Sequence, residues 1–237
     1  MNNLDVDSSH ILLKSVAEEL RLPLVQISRL SETSLARGGQ LLEDMKLIES
    51  SADLALQLLE SYILGLEFSN KQKQIDLSPI TMGAVLNDVA HQIHKVANQN
   101  NCDIEVAIKT SHPIMGNYEA IKLAYINIAN SLITSHDAND SKKRRSITFS
   151  VFGNGPRNIA GVYTQDLNIS RLSWERSLAI FEKTRQKMPD FTSTNGSGFY
   201  VAHTILEAMS LTLVPSKHNG LKGLAAGFPL SHQLQLV

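Results

Sequence analysis

Apolar residues recur every three or four positions along the first quarter of the chain. From position 41 the steps alternate between four and three without a break, through Leu41, Met45, Ile48, Ala52, Ala55, Leu59, Tyr62 and Leu66. A heptad seam of this length predicts a long helix that packs against other helices. The same alternation occurs upstream at Leu13, Ala17, Leu20, Leu24 and Ile27. We therefore expect two long helices in residues 1–68.

The segment between these helices reads ARGGQ, and its adjacent glycines, Gly38 and Gly39, predict a helix stop followed by a tight connection. A helical hairpin alone would leave its outer apolar residues in water; these are Leu12, Val16, Leu30, Leu42, Leu56 and Ile63. A second copy of the hairpin would cover them in a four-helix bundle with two-fold symmetry. The pattern thus favours a homodimer.

The pattern changes after SNKQKQ, and residues 75–237 alternate between helical and strand-like periods. Helices are predicted over 80–99, 117–136, 173–188 and 199–209, and strands over 102–109, 145–153, 158–166, 211–216 and 223–230. The turn signal GNGP suggests that the second and third of these strands are joined directly. We expect an α+β fold, in which the helical hairpin precedes an α/β sandwich with one sheet covered by helices.

Composition narrows the functional classes. The chain has 237 residues, 43% of them hydrophobic and 19% charged, with a formal net charge of -1. A net charge this close to zero gives the chain no overall electrostatic attraction to nucleic acid or to a membrane surface. The basic run DSKKRRS lacks flanking aromatic residues and is interpreted as a solvated loop, and the single cysteine, Cys102, as a small buried hydrophobe. Without an apolar run long enough to span a bilayer, we expect a cytoplasmic protein, unless the chain was cut from a longer, membrane-attached one.

Three motifs occur in a recognisable order: EELRLPL at 18–24, NYEAIKLAYINIANSLI at 117–133 and NGSGFYVAH at 195–203. With a dimerising hairpin and an α+β domain, they resemble the catalytic core of a bacterial sensor histidine kinase over nearly the whole chain. The resemblance implies a dimerisation and phosphotransfer hairpin in residues 1–68 and a histidine-kinase-type ATPase domain in residues 75–237.

The hairpin motif of that family reads His-Glu-Leu-Arg-Thr-Pro-Leu. By resemblance Glu18 occupies the position of the phosphoacceptor histidine and Glu19 that of its acidic neighbour. A carboxylate is a weaker nucleophile than an imidazole, so autophosphorylation by the usual route is not expected. Leu22 replaces the residue that positions water for phosphatase action. Pro23 matches the motif proline and is expected to bend the helix; the alternative is that it begins a helix at its first turn.

The same match suggests a docking surface. If the seam residues are core, Glu18 lies on the outer face with Lys14 and Arg21 one turn away on either side. Together with Pro23, this face would bind the receiver domain of a response regulator or another histidine kinase. The alternative is an ordinary solvated, salt-bridged surface.

The nucleotide-binding motifs are altered too. The resemblance places Asn127 at the first polar position of the family's asparagine box and Ser131 where a magnesium-binding asparagine belongs. Asn130 lies about 100° around the helix and would substitute only with a register shift. Asp166 keeps the adenine-binding carboxylate without its following glycines, and Gly196 and Gly198 precede a helix whose backbone amides could receive phosphates.

ATP and Mg²⁺ are the implied cofactors, but these changes favour a chain that holds neither. His91 and His94 stand three apart on one helical face without further ligands, so no metal site is predicted.

Two functional hypotheses follow. The first is a signalling pseudokinase that acts through protein interaction. The second is an enzyme that still binds ATP or passes phosphate through unusual residues. A third possibility is that the chain is a fragment of a larger sensor.

Overall fold

The computed structural model describes residues 20, 21 and 23–32, ten positions between 45 and 63, and residues 75–134, 144–165, 167, 169–184 and 197–231. The chain divides into two compact units, Met1–Leu66 and Glu67–Val237. Among the described residues no helix is both long and apolar enough to cross a membrane.

The described residues of the first unit are all helical. They fall in both segments for which the heptad pattern predicts a helix. Leu20 and Arg21 are helical, and so are residues 23–32, so helical backbone does not begin at Pro23. The predicted connection at Gly38 and Gly39 lies outside the described residues.

The second helical segment of this unit carries an apolar stripe formed by Met45, Ile48, Ala52, Ala55, Leu56, Leu59 and Ile63. At helical spacing these positions fall within about 100° of arc. Ile48, Ala52 and Ala55 are half-buried. The other members are exposed, Met45 by 59% and Leu56 by 58%. Half of the stripe is therefore left in water by the single chain.

The second unit is a mixed α+β fold, as predicted. Its helices are α1 (Met82–Gln99), α2 (Tyr118–Thr134), α3 (Arg171–Thr184) and α4 (Ser197–Ala208). Its strands are β1 (Ser78–Ile80), β2 (Cys102–Ile108), β3 (Ile114–Gly116), β4 (Arg145–Asn154), β5 (Arg157–Thr164), β6 (Leu213–His218) and β7 (Leu221–Pro229). Each predicted helix and strand of this unit is present, and ends within the described residues differ by a few positions; the predicted ends at 136, 166 and 188 lie outside the described residues.

Five strands form the main sheet in the order β2-β4-β5-β7-β6. β2 pairs with β4 in parallel, and the other neighbours are antiparallel. The β4–β5 hairpin turns at the predicted GNGP signal, where Gly155 has a φ of 59°, and β6–β7 turns at Asn219 and Gly220, with φ values of 49° and 79°. Both turns need left-handed backbone, which glycine and asparagine adopt most readily.

One face of the sheet packs against the helices. It buries alternate strand residues, among them Phe149, Val151, Val162, Leu224 and Phe228. The Tyr125 ring of α2 lies 6.5 Å from that of Phe228, and its hydroxyl donates to the Ala160 carbonyl at 2.7 Å. The pKa of this phenol is raised by its complete burial. α2 is thus held directly on the sheet.

The opposite face of the sheet carries an aromatic cluster, defined by Phe152, Tyr163 and His218. The rings of Phe152 and His218 stack with centroids 4.1 Å apart, and the Tyr163 ring lies 5.7 Å from His218. These side chains come from β4, β5 and β6, so the cluster joins three strands.

Both ends of α2 are fixed. At the first turn the Asn117 side-chain oxygen accepts the Ala120 amide at 3.0 Å, and at the last turn the Arg145 guanidinium donates to the Ile133 carbonyl at 3.1 Å. Such bonds satisfy backbone groups that a helix leaves unpaired at its ends. The Tyr118 hydroxyl donates to Asp88 of α1 at 2.5 Å, which raises the pKa of Tyr118 to about 12.

Two short strands were not predicted. β1 and β3 form a separate antiparallel pair, with Ser78 opposite Gly116 and Ile80 opposite Ile114. Each has three residues, too few to display a strand period.

Candidate functional site

The candidate nucleotide site is built on α2, which is buried around almost its whole circumference. Its second half contains three buried polar side chains, Asn127, Asn130 and Ser131. A buried polar group is costly unless it is hydrogen-bonded. The partners of these side chains therefore indicate which of them are available to a ligand.

The Asn127 amide group is engaged within its own helix. Its nitrogen, Nδ2, donates to the Leu123 carbonyl at 2.8 Å, one turn earlier. This bond uses one of the two hydrogens of the amide nitrogen and does not involve the acceptor oxygen, Oδ1. The residue that the sequence places first in the asparagine box thus has a structural partner.

Ser131 lies against the first turn of α4. A Cβ atom placed on Gly198 would come within 2.3 Å of the Ser131 Oγ and 3.1 Å of the Asn127 carbonyl oxygen. Glycine is therefore required at 198 for α4 to approach α2 this closely. The structure brings together three of the residues predicted from the sequence, Asn127, Ser131 and Gly198, as a tight helix contact.

Asn130, which the sequence admits as a ligand only with a register shift, differs from its two neighbours. It is 7% exposed, and among the described residues its Oδ1 has no hydrogen-bond partner although it is buried. An amide oxygen is a suitable ligand for Mg²⁺ or Ca²⁺ and a good acceptor. A signal was present in the sequence, since Asn130 is a second amide in a helix that is otherwise apolar there.

α3 follows the segment that contains Asp166, and it is anchored at its start. Ser170 caps the helix, because its hydroxyl accepts the Ser173 amide at 3.1 Å. Trp174, interpreted from the sequence as a packing residue, is 2% exposed. Its indole nitrogen donates to the Leu213 carbonyl of β6 at 3.0 Å, and its ring meets Phe199 of α4 edge to face at 6.2 Å. α3 is thereby attached to both β6 and α4.

The other predicted site residues are distributed as follows. Arg21 is exposed, as its predicted position on the outer face requires, and Pro23 is buried. The remaining predicted site residues, Lys14, Glu18, Glu19, Asp166 and Gly196, lie outside the described residues, and so does Leu22.

Comparison with known proteins gives a consistent picture of the fold. No protein-family model and no curated protein sequence matches the chain. Solved structures do. The histidine kinase AdeS of Acinetobacter baumannii is 16% identical with a TM-score of 0.57, over 91% of this chain and 98% of that one. The catalytic domain of the histidine kinase ThkA is 12% identical with a TM-score of 0.51, over 66% of this chain and 97% of that one.

The chain has the fold of a histidine kinase core. A third structure, full-length ShkA in complex with AMPPNP, has a TM-score of 0.55 at 15% identity, over 92% of this chain and 46% of that one. The match to AdeS covers 91% of the chain and so includes most of both units. At these identities the likeness establishes architecture, and function has to be argued from the residues.

The side chains of α2 allow a test of the implied ATP and Mg²⁺. The Asn130 oxygen, buried and unpaired among the described residues, fits a cation ligand. Asn127 fits as well, because its bond to its own helix uses Nδ2 and not the oxygen Oδ1 that would bind a cation; Ser131 fits less well, because it abuts Gly198. A bound Mg²⁺ would neutralise phosphate charge.

Proposed function

We propose that the chain is a dimeric, cytoplasmic two-component signalling protein that acts through protein interaction as a catalytically impaired pseudokinase. The observation that carries the proposal is the state of the candidate nucleotide site. On α2, Ser131 stands in place of a magnesium-binding asparagine and lies against Gly198, and the Asn127 amide nitrogen donates to its own helix. Glu18 in place of the phosphoacceptor histidine supports the same conclusion.

Isothermal titration calorimetry tests this proposal. ATP and a non-hydrolysable analogue are titrated into the full chain, with and without Mg²⁺. We expect no binding heat at nucleotide concentrations up to about 1 mM, the range of the weakest specific complexes. Mg²⁺-dependent binding in the micromolar range would contradict the pseudokinase proposal.

The dimer is supported by the apolar stripe of the first unit. Met45, Leu56, Leu59 and Ile63 are exposed on one edge of a helix, where a second copy of the unit would bury them. Each buried Leu or Ile side chain contributes about 1.5–3 kcal/mol. In a two-fold interface each residue is buried twice, once from each copy. Burial of the stripe can therefore supply the free energy that holds a dimer together.

Replacing Leu56 and Ile63 together with lysine should convert the dimer to a monomer. Four charged side chains would enter the symmetric interface, and we expect the dissociation constant to rise at least about 100-fold. Analytical ultracentrifugation over a concentration series measures it. Glu60→Lys is the matched control, because Glu60 is exposed on the same helix and already polar. A double variant that stays dimeric with an unchanged helical spectrum would refute this interface.

The partner that we propose is the receiver domain of a response regulator or another histidine kinase. It would dock on the face that contains Lys14, Glu18 and Arg21, of which Arg21 is exposed in the structure. Pro23 is buried, so its part in docking would be to shape the helix below this face.

A second candidate function, ATP binding with catalysis through unusual residues, is favoured by Asn130. Its buried, unpaired oxygen would gain a partner if a cation bound, and a shift of register by one residue would give it the place predicted for Ser131. Asp166, Gly196 and Gly198 would complete that site. If calorimetry detects Mg²⁺-dependent binding, Asn130→Ala should abolish the Mg²⁺ dependence. Asn98→Ala, which removes an exposed amide from α1, should leave it unchanged.

A further inference from the structure

The aromatic cluster on the opposite face of the sheet holds an edge strand in place. His218 is the last residue of β6, and its ring lies flat on Phe152 of β4, with 4.1 Å between centroids and 6° between the ring planes. Tyr163 of β5 borders the same ring and donates through its hydroxyl to Ser216 of β6 at 3.5 Å. β6 is at the end of the strand order, with β7 as its neighbour. The cluster therefore connects β6 to strands with which it shares no ladder.

One ring nitrogen of His218 lies where a bound proton would be energetically unfavourable. Nε2 is buried and has no hydrogen-bond partner among the described residues. A neutral imidazole can keep this nitrogen as an unused acceptor at a moderate cost. A protonated ring would instead place a charged donor there without an acceptor, which is much less favourable.

The surroundings of the His218 ring also disfavour its protonation. Burial and, secondly, the Lys109 ammonium lower the pKa of His218. Tyr163 is titratable as well, but burial raises the pKa of its phenol, which therefore stays neutral. Stacking on Phe152 would favour a cation. This attraction opposes the effects of burial and Lys109. Leu221, which pairs with His218 across the hairpin, carries no charge.

We propose that His218 makes the β6–β7 hairpin a pH-sensitive edge of the sheet, in which protonation of the ring releases the end of β6 from Phe152 and Tyr163. In the released state the ring returns to water and binds a proton with the affinity of an ordinary histidine. The closed edge is therefore favoured above about pH 6.5 and is progressively lost as the pH falls below that value. Release would uncover aromatic surface, so the hairpin would act as a switch in an acidifying compartment.

Hydrogen exchange of the full chain tests the switch. Exchange of the β6 amides, corrected for the intrinsic pH dependence, is compared at about pH 7.5 and about pH 5.5. We expect roughly fivefold faster exchange at the lower pH in the wild type. His218→Phe keeps a ring on Phe152 but cannot titrate, so its corrected exchange should be the same at both pH values. His91→Phe, at an exposed position of α1, is the matched control and should respond like the wild type.

A second measurement keeps the proposal testable if His218→Phe fails to fold. NMR titration of the wild type gives the pKa of His218 directly, and Lys109→Met should raise it. A His218 pKa at or above the ordinary histidine value would overturn the proposal. An equal pH response in the wild type and His218→Phe would overturn it as well. Trp174, the one tryptophan of the chain, donates to Leu213 of β6, so its emission provides a further readout of the same strand.

Discussion

Replacing Gly198 with alanine should destabilise the second unit by about 1–3 kcal/mol, the usual cost of overpacking a close contact. The new methyl group would lie within 2.3 Å of the Ser131 Oγ and 3.1 Å of the Asn127 carbonyl oxygen. Rotation of the Ser131 side chain could relieve the nearest contact, but the Asn127 carbonyl is backbone and would move only if the two helices separated. Alanine is a better helix former than glycine by about 1 kcal/mol, which offsets only part of this cost. Urea titration followed by circular dichroism measures the change.

A double-mutant cycle tests whether the cost of Gly198→Ala arises from its contact with Ser131. Ser131→Ala removes the nearest atom, so Gly198→Ala should be less damaging in that background by about 1 kcal/mol or more. Gly153→Ala is the matched control, since a Cβ there meets no atom within 4 Å and should be nearly neutral. If Gly198→Ala is as well tolerated as Gly153→Ala, α4 does not rest on α2 as described.

Replacing Trp174 with alanine should cost about 3–5 kcal/mol, the range for the loss of a large buried aromatic side chain. The indole is buried against Phe199 and His203 and donates to the Leu213 carbonyl. The variant would lose packing on α4 and the bond to β6 together. We expect α3 to lose its protection from hydrogen exchange, and urea titration by circular dichroism to show a lower midpoint.

Trp174→Phe separates the two contributions. It keeps most of the apolar contact and loses the hydrogen bond, so we expect a cost of about 1–2 kcal/mol. Leu172→Ala on the same helix is the control; Leu172 is 58% exposed, and its truncation should change stability by less than about 0.5 kcal/mol. Similar midpoints for Trp174→Ala and Leu172→Ala would show that Trp174 does not anchor α3.

Much of the fold follows from the spacing of apolar residues. In α1 the residues Val85, Val89 and Ile93 recur at helical spacing, and all are buried. The β4–β5 hairpin is predictable because two alternating runs flank a glycine turn signal. β1 and β3 were missed because three residues carry no period, and their pairing depends on tertiary contacts.

The candidate site was predictable only as far as its location. Asn127, Ser131 and Gly198, each assigned to the nucleotide site by resemblance, lie close together in the structure. Which amide is free to bind a ligand depends on side-chain rotamers, and no residue pattern specifies them. The Asn127 amide nitrogen donates to its own helix, whereas the buried Asn130 oxygen has no partner among the described residues.

The parallel pairing of β2 with β4 has a consequence for how the second unit folds. Cys102 pairs with Arg145, so the strands can join only after the intervening chain, α2 included, has been placed. The β4–β5 hairpin needs no such long-range closure and can form first. During synthesis β2 is made well before its partner. The backbone edge of β2 that pairs with β4 therefore stays open until β4 has been made, and an unpaired strand edge is prone to aggregate.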